Sequence, residues 1–226
     1  IAGVLISLHF ASFYTALRLT TVLRATLLVS LVPLFTGMLS PFGFLGLPPS
    51  SPPKRFWAGI FLALLGVWYT LSGPVATSAA STAKAVAPNL GDFAAILGAA
   101  FFALYLRVGS VVRQRMALHD YQLRITSVSA VILFAMAWMR HDSVALGLSG
   151  WPFLLAASLL PQLVGQAGLD FALKKLRPGA VSSMILLEPV TAGLLAWVFL
   201  GEAIGSAAAV GSVVVLGGVA LALAGS

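Results

Sequence analysis

The stretch 181–197 is hydrophobic and long enough to cross a bilayer, and in its middle a carboxylate and a proline stand side by side, Glu188 and Pro189. Both are costly there. A charged carboxylate near the bilayer centre costs at least about 2.5–3.5 kcal/mol on insertion scales. A proline removes one backbone donor and frees the carbonyl four residues back, here that of Ile185. In hydrocarbon that carbonyl needs a new partner, so a helix broken in this way faces protein or a wet cavity. The rest of the chain is read as a scaffold around that cavity.

Composition agrees with a lipid environment. Only 8% of the 226 residues are charged and mean hydropathy is +1.03, whereas a soluble domain carries about 25% charged residues. The net charge of +7 is no nucleic-acid footprint, because the basic residues stand at the ends of apolar segments, where they set orientation. The absence of cysteine excludes disulfides, thiol catalysis and cysteine-ligated metals. No phosphate-binding Gly-x-x-x-x-Gly-Lys loop and no metal-spaced His/Asp/Glu cluster is present, so ATP drive within the chain, a metal or another cofactor is not expected.

Eight helical spans are predicted, over 1–17, 21–40, 56–72, 93–112, 123–138, 151–171, 179–200 and 206–224. Connections after the second, fourth and sixth spans hold Lys54, Arg55, Arg113, Arg115, Arg124, Lys174, Lys175 and Arg177. Those on the other side hold only Arg18, Arg24, Lys84 and Arg140. The excess places the first set, and with it the C-terminus, in the cytoplasm of a multi-pass protein of the cell membrane.

The chain repeats itself. Shifted by 156 positions, Ala16, Leu17 and Arg18 fall on Ala172, Leu173 and Lys174, Pro33 on Pro189 and Gly37 on Gly193. Shifted by 152, Gly59, Gly66, Val67, Leu71 and Gly73 fall on Gly211, Gly218, Val219, Leu223 and Gly225. The change of offset matches the Pro-rich connection 41–55 of the first copy. The division is a first repeat at 1–73, a linker at 74–90 and a second repeat at 91–226. The spans 93–112 and 123–138 open the second copy and have no counterparts in the first. The expectation is an all-α polytopic protein with eight helices of an inferred ten, the first two missing; the alternative is a natural eight-span chain. Five spans per copy is odd, so the copies cross the membrane in opposite directions, the plan of many secondary transporters.

Leu187-Glu188-Pro189, then Leu194-Leu195-Ala196-Trp197 and Phe199-Leu200-Gly201-Glu202, resemble the ending of an EamA domain. Gly91-Asp92 and Ala103-Leu104-Tyr105 resemble its beginning, and 16–35 looks like the same pattern again. The resemblance spans the chain and points to the drug/metabolite transporter superfamily. It implies two inverted five-helix repeats around a central substrate cavity, with the last helix of each repeat at the periphery. Two departures stand out: Val32 occupies a position where family members often carry Glu, and Pro41-Phe42-Gly43 replaces an often-found Gly-Glu. The first half therefore has no carboxylate to offer a mechanism.

Each candidate residue has two readings. Glu188 is a proton-coupling acid or an anchor for a substrate ammonium, or else a structural carboxyl at the helix break. Pro33 and Pro189 mark broken helices that flex beside a substrate, or static kinks. His9 is a relay or ligand, or a neutral hydrogen-bonded ring. Gln162 and Gln166 share a helix face with Asp170 one turn on, and either contact substrate or bond between helices. Tyr14, Tyr105 and Trp197 line a cavity or serve packing. Arg107, five residues from a span end, is read as snorkelling to the interface. Gly201-Glu202 caps the following helix, and the glycines of the third and eighth spans serve close packing or a homodimer.

The reading is a secondary transporter that exports or exchanges small organic metabolites (amino acids, related compounds or drugs) by alternating access. Its partners are the bilayer, the substrate and a coupling proton or ion, with no nucleic acid. The alternatives are a membrane-embedded enzyme acting on lipid-linked substrates and a structural membrane protein. The enzyme reading lacks a nucleophile or acid/base constellation.

Overall fold

A computed structural model describes residues 1–20, 22–43, 49–71, 90–140, 147, 150–195, 197–198 and 206–224. Among these the regular structure is helical throughout: α1 (Ala2–Leu19), α2 (Val22–Val29), α3 (Val32–Leu39), α4 (Lys54–Leu71), α5 (Leu90–Val112), α6 (Leu118–Met139), α7 (Trp151–Ala157), a π-helical segment (Ser158–Gly165), α8 (Gln166–Lys175), α9 (Pro178–Ile185), α10 (Glu188–Leu195) and α11 (Ser206–Leu223). Among the described residues four helices are long and apolar enough to cross a membrane, Ala2–Leu19, Leu90–Arg115, Leu118–Met139 and Trp151–Lys175. Ala25–Leu39 and Ala209–Leu223 are shorter apolar helices. Lys84 and Gly201-Glu202 lie outside the described residues.

The spans bearing Pro33 and Pro189 are each divided into half-helices. α2 stops at Val29 and α3 starts at Val32; α9 stops at Ile185 and α10 starts at Glu188. Pro33 and Pro189 thus occupy the second residue of a new helix, where a missing N–H costs nothing, rather than the middle of a bent one. Tighter bonds carry the chain across the gaps, Leu31 N–H to Leu28 C=O at 3.3 Å and Leu187 N–H to Met184 C=O at 3.0 Å.

Element boundaries coincide under the sequence shifts. Moved by 156 positions, α2 lands on α9 and α3 on α10, end for end, and α1 lands on the π-helical segment plus α8. Moved by 152, α4 lands on α11.

α4 and α11 run antiparallel and nearly touch backbone to backbone. A Cβ on Gly218 would lie 2.7 Å from Gly59 C=O and 2.5 Å from Ala63 N, and one on Gly66 would lie 2.8 Å from both Gly211 C=O and Val215 N. Under the 152 shift these contacts exchange: Gly59 with Gly218 becomes Gly211 with Gly66, and Gly218 with Ala63 becomes Gly66 with Val215. Ile60, Ala63, Val67, Val215 and Ala222 close the seam. These glycines are therefore engaged within the chain, by close helix approach.

α1 lies antiparallel on α5, with Thr20 donating to Asp92 at 2.9 Å at one end and His9 bonded to Gly98 further along. Phe102, Tyr105 and Leu106 of α5 form the centre of the larger core, flanked by Ile6 of α1, Tyr121 and Ile125 of α6, Leu173 of α8 and Val181 of α9. α5 is thus the shaft on which the helices bearing the polar residues converge.

Candidate functional site

A cavity of about 230 Å³ opens between α1, α6 and α8. Phe10 and Tyr14 come from α1, Ile125, Thr126 and Ser129 from α6, and Gln166 from α8. None of its lining residues is charged. Apolar and aromatic faces with a few convergent polar groups are what small-molecule sites offer.

Gln166 connects the cavity to a sealed polar cluster. Its amide donates to Tyr105 Oη at 2.8 Å. Tyr105 Oη in turn donates to Asp170 Oδ1, and Gln122 Nε2 donates to Asp170 Oδ2. Asp170 and Tyr105 are both 0% exposed. A carboxylate that accepts at both oxygens satisfies this donor set. Arg113, itself buried, donates from Nε to the Asp170 carbonyl at 3.0 Å and also to the Met116 carbonyl, with its guanidinium 5.9 Å from the Tyr121 ring centroid. The cluster therefore ties α5, α6 and α8 together within the helical bundle, where unpaired polar groups are costly.

Local sequence explains the placement. Pro161 cannot donate within a helix, and it lies in the π-helical segment just before α8. Gln166 and Asp170 then stand four apart on one face of α8.

The structure thus brings together three sequence candidates, Tyr14, Gln166 and Tyr105. His9 lies elsewhere: it is buried, its Nδ1 stands 2.9 Å from Gly98 C=O, and its ring stacks on Phe102 at 4.5 Å between centroids. Glu188 sits in the first turn of α10, exposed, where the helix N-terminus favours a carboxylate. It is not among the residues lining the cavity between α1, α6 and α8. Pro33 is buried at the start of α3. The side chains of Gln162 and Pro189 lie outside the described residues, and Trp197 is exposed. Arg107 departs from its reading as a snorkelling residue. It is only 4% exposed and donates to Phe42 C=O at 3.0 Å, so the chain just beyond α3 covers it.

Sequence reasoning noted Asp170 only as a neighbour of the glutamines, counted Arg113 only for orientation and passed over Gln122. Their one available signal was polarity close to the ends of apolar spans.

The described helices thus enclose a neutral cavity set beside a buried polar cluster. The EamA-like transporter family matches residues 89–224, and the chain belongs to that family. Its fold is shared with a solved structure described as "Crystal structure of protein", at TM-score 0.81 and 22% identity over 98% of this chain and 74% of that one. No curated protein matches the sequence.

Proposed function

We propose that the chain is a secondary transporter that carries small organic solutes by alternating access between two inverted halves, 1–73 and 91–226. The observation that carries this reading is the uncharged cavity joined through Gln166 to the Tyr105–Asp170 cluster. The coincident element boundaries support the halves, as do the exchanged contacts of α4 and α11. Such contacts between antiparallel helices are what a two-fold axis across them, in the membrane plane, produces. The plan has five helices per half: α5 and α6 open the second, and α1 to α4 supply counterparts of its remaining three. The excess of Lys and Arg supports a cytoplasmic C-terminus in a cell-membrane protein.

The cavity wall suits amphipathic molecules with a ring or an aliphatic face and a few hydrogen-bonding groups, among them amino-acid-derived metabolites and drugs, exported or exchanged. Asp170 and Glu188 are the candidates for coupling to a proton or cation. Asp170 is the better connected, because a hydrogen-bond chain reaches it from the cavity.

The test is an uptake screen of labelled amino acids, nucleosides and amphipathic drugs into proteoliposomes, with and without a proton gradient. At least one class is expected to exceed empty vesicles. Gln166→Ala is expected to lower its uptake about three- to tenfold per folded molecule, as loss of one hydrogen bond does. Glu188→Gln separates the two acids: gradient-driven uptake lost with exchange retained assigns coupling to Glu188, and wild-type uptake at every pH removes it. A folded protein that moves none of the three classes contradicts the transporter reading.

A further inference from the structure

A second cavity, of about 280 Å³, lies where α3 ends, α4 begins and α9 starts against α5. Ser40, Ser50 and Ser51 contribute hydroxyls, and Arg107 and Arg177 contribute guanidinium groups. No carboxylate lines it. Pro178 and Gly179, the first residues of α9, also face it.

Three features converge there. Arg107 is 4% exposed, and its Nε is sealed without a hydrogen-bond partner among the described residues. A buried guanidinium with an idle donor is costly unless something accepts from it. The N-terminus of α9 has no side-chain cap, so its first-turn N–H groups after Pro178 lack intrahelical acceptors and carry the positive end of the helix dipole. Arg177, the N-cap residue of α9, is exposed and adds a second cation at the mouth.

We propose that this cavity is an oxyanion site, selective for a phosphate-bearing group held between Arg107 and the start of α9. The planar guanidinium offers paired donors to a tetrahedral oxyanion, and the Ser50 and Ser51 hydroxyls donate to its remaining oxygens, the Ser40 hydroxyl being already bonded to Thr36 C=O at 2.9 Å. The occupant would bridge α5 to the first half of the broken helix that carries Glu188. The site is separate from the cavity between α1, α6 and α8, and its test needs no transport.

The phosphate arrives either free, as inorganic phosphate or a phosphorylated metabolite, or as the headgroup of an anionic lipid. Protein stripped of lipid in a phosphate-free maltoside detergent is titrated with inorganic phosphate by calorimetry, with chloride at equal ionic strength as control. In parallel, native mass spectrometry follows retention of phosphatidic acid added from mixed micelles. Saturable phosphate binding, absent with chloride, is expected for a free-anion site; phosphatidic acid retained without phosphate binding identifies a headgroup site. Arg107→Gln is expected to weaken the bound species about ten- to a hundredfold, as loss of a charge-assisted hydrogen bond does. Arg177→Gln, at an exposed position that does not endanger folding, is expected to weaken it several-fold. Should Arg107→Gln fail to fold, Arg177→Gln and Arg107→Lys, which keeps charge but loses the paired donors, carry the test. Absence of both phosphate and phosphatidic acid binding to the unaltered protein overturns the site, and so does equal binding by the folded variants.

Discussion

Asp170→Ala is expected to destabilise the bundle by about 2–6 kcal/mol, because each buried donor left without an acceptor costs about 1–3 kcal/mol. The donors are Tyr105 Oη and Gln122 Nε2, and Asp170 is fully buried. Tyr105 is fully buried, so water reaches its hydroxyl only if the contact between α5 and α8 opens, whereas Gln122 is partly buried and sets the low end of that range. Arg113 would also lose the nearby carboxylate that offsets its charge, while its bond to the Asp170 backbone carbonyl survives substitution. Asp170→Asn keeps an acceptor for Tyr105 and is expected to cost less than half as much as the alanine. Tyr105→Phe removes one donor and the acceptor for Gln166 while preserving the ring packed against Phe102. A double-mutant cycle between Asp170→Ala and Tyr105→Phe should therefore show strong coupling. Thermal unfolding in lipid nanodiscs measures the unaltered protein and the four variants. An alanine variant within about 0.5 kcal/mol of the unaltered protein would place the cluster outside the load of the fold.

That cluster also marks how far the sequence could be read. The bilayer leaves helices as the one economical way to satisfy the backbone of an apolar chain without strand alternation, so the helical class was legible from hydropathy. The prolines were legible as breaks, since the loss of an N–H is a local fact; their place in the first turn of a new helix was not, because it depends on where the preceding half-helix stops. The match of α4 to α11 was visible in the sequence because Gly59, Gly66, Gly211 and Gly218 recur in register, and small residues recur where backbones must meet. Asp170 was harder. Its partners Tyr105, Gln122 and Arg113 come from other helices, far away in sequence. No spacing rule on one helix reveals a bond between three.

Glu188 and Arg107 show the same limit in opposite directions. Both were judged by depth along a span. Depth says how costly a charge is, but not which way a helix turns its face. Glu188, the deeper, stands exposed in the first turn of α10. Arg107, nearer a span end, is buried over a polar cavity. Rotation about the helix axis is set by neighbours, and the neighbours of α5 come from α1, α2, α3, α8 and α9.

Gly218→Leu is expected to unfold or loosen the seam between α4 and α11, while Gly217→Leu one residue away leaves stability unchanged. A Cβ at Gly218 would meet Ala63 N at 2.5 Å and Gly59 C=O at 2.7 Å, backbone atoms that cannot rotate aside. At Gly217 nothing stands within 4 Å. Both substitutions add the same side chain to the same helix, so helix propensity cancels in the comparison. Overpacking a core costs about 1–3 kcal/mol when side chains can adjust. Here the helices themselves must separate, which also exposes Ile60, Ala63, Val67 and Val215 along the seam, so the loss should exceed that range. If the exchanged contacts reflect two-fold related halves, Gly66→Leu should match Gly218→Leu, since the two glycines occupy equivalent positions under the 152 shift and Gly66 meets Gly211 C=O and Val215 N at 2.8 Å. Thermal melting of the three variants in nanodiscs decides it. Equal melting of Gly217→Leu and Gly218→Leu would contradict the close seam, and a tolerated Gly66→Leu beside a damaging Gly218→Leu would contradict the equivalence of the halves.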